Sequence, residues 1–237
     1  MIAIIGDVHD LQTPFRAVVG GLPRAVRCVI QVGDLWVWPA HGWSEDSDRR
    51  QEELRRQLDR DLHWTRCPRD ILCIEGNHHN FPLTRGIEMH RDVAPGLRFM
   101  PRGTVQALPS RSGLIRVGFL GGSDSILDLA WRSRGRDWWP DEEQVTVSDV
   151  DRLIANARTV GGIDLLVTHT PPASITMRMT RTDTAHPSAH LVEEAWRALG
   201  GGLADPALEI VSGHMHETFV DERLRVEVLP MLGTTFR

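Results

Sequence analysis

An α/β fold built on mixed β-sheets is predicted for this 237-residue chain by two recurring patterns. Short apolar runs, rich in Val and Ile, end abruptly in small residues followed by Asp, Asn or His. Between several of them lie longer stretches in which apolar residues recur at helical spacing. Runs of four or five residues are too short for buried helices, and their β-branched content suits strands covered on both faces. Strands alternating with helices imply parallel pairs.

The elements follow in order. Ile2–Ile5 runs into Gly6-Asp7-Val8-His9, and Cys28–Val32 into Gly33-Asp34. Ile71–Ile74 leads, one residue later, into Gly76-Asn77-His78-His79. Leu165–Val167 reaches Thr168-His169, and Leu208–Val211 reaches Ser212-Gly213-His214-Met215-His216. Helices are expected over Asp46–Trp64, over Ser148–Val160 with Ser148 as cap and Asp151 at the capping-box position, and over Ser188–Leu199, closed by Gly200–Gly202. Two hairpins are expected: Val105–Leu108 with Leu114–Leu120 around Ser110–Gly113, and Thr218–Val220 with Leu224–Leu229 around Asp221-Glu222. The sheets should therefore be mixed.

Composition narrows the function classes. Apolar residues make up 41% and charged residues 25%, as in ordinary globular chains. No apolar run approaches the roughly 20 residues that span a bilayer. Met1–Ile5 reads as a strand and not as a cleavable leader, so a cytoplasmic location is expected. Cys28 and Cys73 lie inside apolar runs, and the spacings of the three cysteines match no zinc module. The net charge of −5 disfavours non-specific binding to a nucleic acid backbone. Arg49, Arg50, Arg55, Arg56 and Arg60 crowd one segment but alternate with acids, as on a solvated helix face.

The five strand ends carry the chemistry. Asp7, His9, Asp34, Asn77, His78, His169, His214 and His216 supply two carboxylates, one amide and five imidazoles. A mixed imidazole and carboxylate set suits Mn, Fe, Zn, Ni or Co better than Mg or Ca. Any one of these elements is common by chance. Five together, each first donor preceded by Gly or Thr, point to side chains turned sharply into a shared centre.

The order Gly-Asp-x-His, Gly-Asp, Gly-Asn-His, a later His and Gly-His-x-His resembles the calcineurin-like metallophosphoesterases, and it extends from residue 6 to residue 216. The resemblance implies a four-layer α/β/β/α sandwich, one metallophosphoesterase domain over residues 1–237, and two divalent metal ions, manganese foremost. Carried over residue by residue, it implies one metal held by Asp7, His9, Asp34 and His216. The other is held by Asp34, Asn77, His169 and His214, with Asp34 bridging. His78 is then the non-ligand histidine that protonates or stabilises the leaving oxygen. Such a centre activates water for in-line attack on phosphorus.

Departures from the family pattern are visible. His79 stands where an Asp or Glu commonly pairs with the catalytic histidine, so Asp124 and Asp128 are candidate substitutes. Asp10 stands where many members have Gly. Asp34 is followed by Leu-Trp-Val-Trp and not by the Asp-Arg of protein serine/threonine phosphatases, which disfavours a phosphoprotein substrate. In the Gly121–Pro140 block, Arg132, Arg134 and Arg136 are candidates for pairing with phosphate, and Trp138 and Trp139 either stack on a base or anchor the loop. Trp36, Trp38 and Trp43 either wall the substrate or pack. Ala173–His190, with Arg178, Arg181, His186 and His190, reads as a rim loop.

The expected function is metal-dependent hydrolysis of a small phosphomonoester or phosphodiester, nucleotide-like ones included. A non-catalytic scaffold on the same fold should purify with far less than two metals per chain. A nuclease needs a basic groove, against which the net charge argues.

Overall fold

The computed structural model describes residues 1–9, 11–35, 49, 56, 69–79, 81, 96–126, 129–135, 138–202 and 206–237. Eleven strands form two sheets among these residues. The first contains β1 (Ile2–Ile5), β2 (Cys28–Gln31), β3 (Asp70–Cys73), β4 (Leu97–Phe99) and β11 (Thr234–Phe236), in the order β11-β1-β2-β3-β4. β1 to β4 are parallel, and β11 closes the edge antiparallel to β1.

The second sheet runs β5-β6-β7-β8-β10-β9. Its strands are β5 (Thr104–Pro109), β6 (Leu114–Leu120), β7 (Leu165–Thr168), β8 (Glu209–Ser212), β9 (Phe219–Asp221) and β10 (Val226–Val228). The four central strands are parallel, and the edge strands β5 and β9 are antiparallel. Both sheets are mixed, as expected.

The continuous apolar runs are explained by burial on two faces. Ile2, Ile4, Ile30, Leu72 and Ile74 of the first sheet meet Val117, Phe119, Leu165, Val167 and Val211 of the second, forming the core between the sheets. The alternate residues Ala3, Ile5, Val29 and Ile71 face outward and are covered by Phe15 and Val19 of α1 (Gln12–Gly21). On the far side, Leu166, Ile210 and Val228 pack against Leu153 of α3 (Val147–Thr159) and Trp196 of α5 (Pro187–Ala198). The result is four layers, α/β/β/α. Arg237, beyond β11, donates to Glu209 on β8 and to Glu227 on β10, tying one sheet to the other.

Several expectations need correction. The cap of α3 is Thr146, not Ser148. Thr146 N–H donates to Asp149 at 3.0 Å, and Asp149 N–H donates back to Thr146 Oγ1 at 3.2 Å, so Asp149 replaces Asp151 in the box. Ser148 is an exposed residue inside the first turn. α5 starts at Pro187, whose missing N–H costs nothing there. Ser188 N–H is capped by Asp124 at 2.9 Å, and the helix ends at Ala198 with Leu199 as its C-cap, followed by Gly200 with φ of 96°.

Ala173–His190 is not a rim loop. It contains α4 (Ala173–Thr180) and the start of α5, because Ala173, Ile175 and Thr176 face the interior. Both hairpins form, the second with strands Phe219–Asp221 and Val226–Val228, shifted slightly from the expected bounds. α1, β4 and β11 were not anticipated. The single turn α2 (Pro140–Glu143) was not either. Of the helix expected over Asp46–Trp64, only Arg49 and Arg56 are described; the rest lies outside the described residues, as do Asp10, Trp36, Trp38, Trp43, Asp128 and Arg136.

Candidate metal centre

All five donor motifs follow the carboxyl ends of parallel strands. β1, β2 and β3 deliver Asp7 with His9, Asp34, and Asn77 with His78; β7 and β8 deliver His169 and His214 with His216. Ligands bind at this edge in α/β sheets because the loops there converge. Here the two sheets present the same edge to one another, and the donors meet.

His9 Nε2 lies 2.8 Å from His216 Nε2, and His216 Nε2 lies 3.2 Å from Asp7 Oδ2. His9 Nε2 also approaches Asp34 Oδ2 at 3.6 Å, while His169 Nε2 reaches that oxygen at 3.3 Å. His169 Nε2 is 3.1 Å from Asn77 Oδ1, and the His169 and His214 rings lie 5.0 Å apart, edge to face. His78 donates its backbone N–H to Asp34 Oδ1 at 2.8 Å, and its ring sits 4.9 Å from that of His9. All eight sequence-predicted residues are thus drawn into one constellation.

Three overlapping donor groups arise among the described residues: Asp7, His9 and His216; His9, Asp34 and His78; Asp7, Asp34 and His169. Within each, the donor atoms lie within 4.8 Å of one another. Asp34 Oδ2 is buried and accepts no hydrogen bond from the described residues, although a carboxylate oxygen in such a place needs compensation. The donor set and this oxygen fit a divalent cation site.

The backbone is bent to make this meeting. His9, Asp34, His214 and His216 have φ of 47°, 55°, 68° and 57°, in the left-handed region that non-glycine residues seldom occupy. Such conformations carry a cost of order 1–3 kcal/mol each and cluster at functional sites. Two glycines make room. A Cβ on Gly76 would lie 2.0 Å from Asp34 Oδ1, and one on Gly213 would lie 2.1 Å from Asp7 Oδ1.

The charges answer one another. Burial opposes ionisation of Asp34, yet the imidazoles of His169, His78 and His9 hold its carboxyl well below the usual range. Burial likewise opposes a charged His169, but Asp34 and Asp7 outweigh it and lift the imidazole to about 9. His216 is raised by its bond to Asp7. His214 is pushed far down, first by burial and then by His169. Packed carboxylates draw positive charge into this pocket.

A family model described as calcineurin-like phosphoesterase matches residues 1–218. The chain belongs to the calcineurin-like phosphoesterase family. Membership makes it a metal-dependent phosphoester hydrolase in the general sense, and the donor groups above are its candidate metal ligands. Among solved structures, a hypothetical protein from Thermus thermophilus aligns over 98% of this chain and 75% of its own, at 16% identity and a TM-score of 0.46. A search of curated proteins returns no match. No helix among the described residues is long and apolar enough to cross a membrane.

The departures of this calcineurin-like phosphoesterase now have structural accounts. His79 is buried, edge-on to Phe81 at 5.1 Å and Phe99 at 4.9 Å, and burial depresses its basicity. It is packed as a core residue. Asp124, one candidate substitute for the usual acid, directs Oδ2 to the start of α5. The Arg132 side chain is 6% exposed and donates to Asn77 O at 2.8 Å. Arg134 pairs with Asp141 on the surface. Trp138 donates to the buried carboxylate of Glu143 at 3.2 Å, so it anchors the loop. Sequence reasoning missed Ser123, Ser125 and Glu143, all buried beside the donors. Only the Ser-x-Ser spacing after β6 hinted at them.

Proposed function

We propose that this phosphoesterase hydrolyses a small phosphomonoester or phosphodiester at a dinuclear centre. Asp7, His9, Asp34 and His216 hold one metal, and Asp34, Asn77, His169 and His214 hold the other. The observation that carries this reading is the convergence of donors from both sheets on the buried Asp34 Oδ2, with His169 at 3.3 Å and His9 at 3.6 Å. Manganese is the first candidate for both positions by family resemblance; the mixed nitrogen and oxygen donors suit Mn, Fe, Zn, Ni and Co alike, and Mg less well. When bound, such a pair supplies Lewis acidity and an activated water.

The residues themselves divide the remaining work. Asp7, Asp34 and His169 are fully or almost fully buried and exclude bulk water from the inner side. His216 is exposed and His78 half-buried, so substrate enters on their side. His78 meets the leaving oxygen there and donates a proton to it. A second reading is favoured by one observation: donor atoms of His78, His9 and Asp34 lie close enough to share an ion, which makes His78 a ligand.

The substrate class includes nucleotide-like esters, and the working compartment is the cytoplasm, with residues 1–237 acting as one domain. The test is turnover of a chromogenic phosphodiester and of a phosphomonoester with added Mn²⁺, before and after chelation. Chelator-sensitive turnover of either supports the reading. Metal-dependent turnover of neither ester overturns it, and cleavage of single-stranded DNA or RNA instead would make the protein a nuclease.

A further inference from the structure

The loop after β6, Gly121-Gly122-Ser123-Asp124-Ser125, sends two buried hydroxyls towards the donors. Ser125 Oγ donates its single proton to Glu143 Oε2 at 2.9 Å, while Ser125 N–H donates to Glu143 Oε1 at 2.8 Å. With that proton directed to Glu143, the hydroxyl can only accept from other neighbours. Two donors use it: Arg132 Nη1 and Asn77 Nδ2, the latter at 3.2 Å. The amide of Asn77 is therefore oriented with its nitrogen outward and its oxygen inward, 3.1 Å from His169 Nε2.

His169 is oriented in the same manner. Its Nδ1 lies 2.8 Å from the carbonyl of Val32, which only accepts, so Nδ1 carries the hydrogen. In neutral His169, Nε2 is then a lone pair. Two acceptors, Nε2 and Asn77 Oδ1, face each other, which is tolerable only with a proton or a cation between them. Ser123 Oγ lies 3.1 Å from His214 Nε2. A hydroxyl accepting there holds the hydrogen on Nε2 and leaves Nδ1 as the free lone pair.

The geometry points to Ser123 and Ser125 as positioning residues for one metal position, that of Asn77, His169 and His214, with Glu143 as the acceptor that fixes the polarity of Ser125. The inference rests on the ligand reading above. The contacts described above for Asp7, His9 and His216 involve neither serine, so the two metal positions should respond separately.

Calorimetric titration of the metal-free full chain with Mn²⁺ tests this. Wild type should take up two ions. Ser125→Ala and Ser123→Ala should each weaken one ion about 10–100-fold, the usual scale for groups that orient ligands, and spare the other. Ser125→Thr, which keeps the hydroxyl, should restore binding. If Ser125→Ala fails to fold, Glu143→Gln keeps the packing, removes the acceptor-only partner, and should weaken the same ion. Two ions bound with wild-type affinity in Ser123→Ala and in Ser125→Ala (or Glu143→Gln) overturn the inference. Asn77→Ala separates the causes. If it too binds both ions normally, the ligand reading falls with the inference; if it loses one ion while the serine variants do not, the inference alone falls.

Discussion

Asp7 and His214 are joined across the whole sequence: the backbone N–H of His214 lies 3.0 and 3.1 Å from the two carboxylate oxygens of Asp7. The first strand of one sheet is thereby fixed to the end of a central strand of the other. Both oxygens are oriented before any cation arrives, which is the pre-organisation a tight site requires.

That junction depends on Gly213. An alanine there would bring Cβ to 2.1 Å from Asp7 Oδ1 and 2.7 Å from Val32 Cγ2. Gly213→Ala should destabilise the fold by about 1–3 kcal/mol, as overpacking does, and should lower metal content. Thermal melting and elemental analysis check both; unchanged metal content would show that Asp7 tolerates displacement.

Asp34→Asn and His78→Ala should behave differently. Replacing buried Asp34, the proposed bridge, should abolish turnover and metal uptake together. His78→Ala should lower turnover by roughly 10²–10⁴-fold, the range of a lost proton donor, with both metals retained. Loss of one metal in His78→Ala would instead make His78 a ligand, in keeping with its closeness to His9 and Asp34.

The capping correction at α3 yields a paired test. Thr146→Ala should cost about 1 kcal/mol, because it removes the hydroxyl that accepts from Asp149 N–H at 3.2 Å and donates to the Asp149 carboxylate at 2.7 Å. Ser148→Ala, at an exposed helical position, should stay within about 0.5 kcal/mol of wild type. Urea melts of the two variants decide between the two caps.

Acid should reveal the Arg116–Asp164 pair. Arg116 Nε and backbone N–H donate to Asp164 Oδ2 at 3.1 and 2.7 Å, and Nη2 donates to Oδ1 at 2.9 Å. These bonds hold the carboxyl below its ordinary 3.8. A depressed carboxyl stabilises the fold above its unfolded value and ceases to do so as pH falls through the folded one. Asp164→Asn should therefore lower the urea midpoint modestly at about pH 6, and the deficit should close only below the ordinary value. A deficit that persisted at about pH 2 would assign it to lost shape and not to charge.

Strands β1, β2, β3, β7 and β8 were legible because a strand buried on both faces must be a continuous apolar run, a local property. β11 (Thr234-Thr235-Phe236) and β4 were not legible, since a three-residue edge strand needs only one partner and carries no period. α1 was missed although Phe15, Val18, Val19 and Leu22 have helical spacing; its N-cap is Leu11, a residue that makes no side-chain capping bond. In the Gly121–Pro140 block Arg134 is exposed, as its charge suggests, whereas the Arg132 side chain is buried against Asn77 O and Ser125, a contact that no local pattern announces.

By itself the sequence determined the kinds of donor and their position at strand ends, because glycine followed by Asp, Asn or His after an apolar run is a local signal within a single short stretch. Only the tertiary structure decided which donors touch. His9 meets His216 across 207 positions, and Asn77 meets Ser125 across 48. Those meetings depend on the strand order and on how the two sheets face each other, and both are settled by the shared core and not by any local stretch of chain.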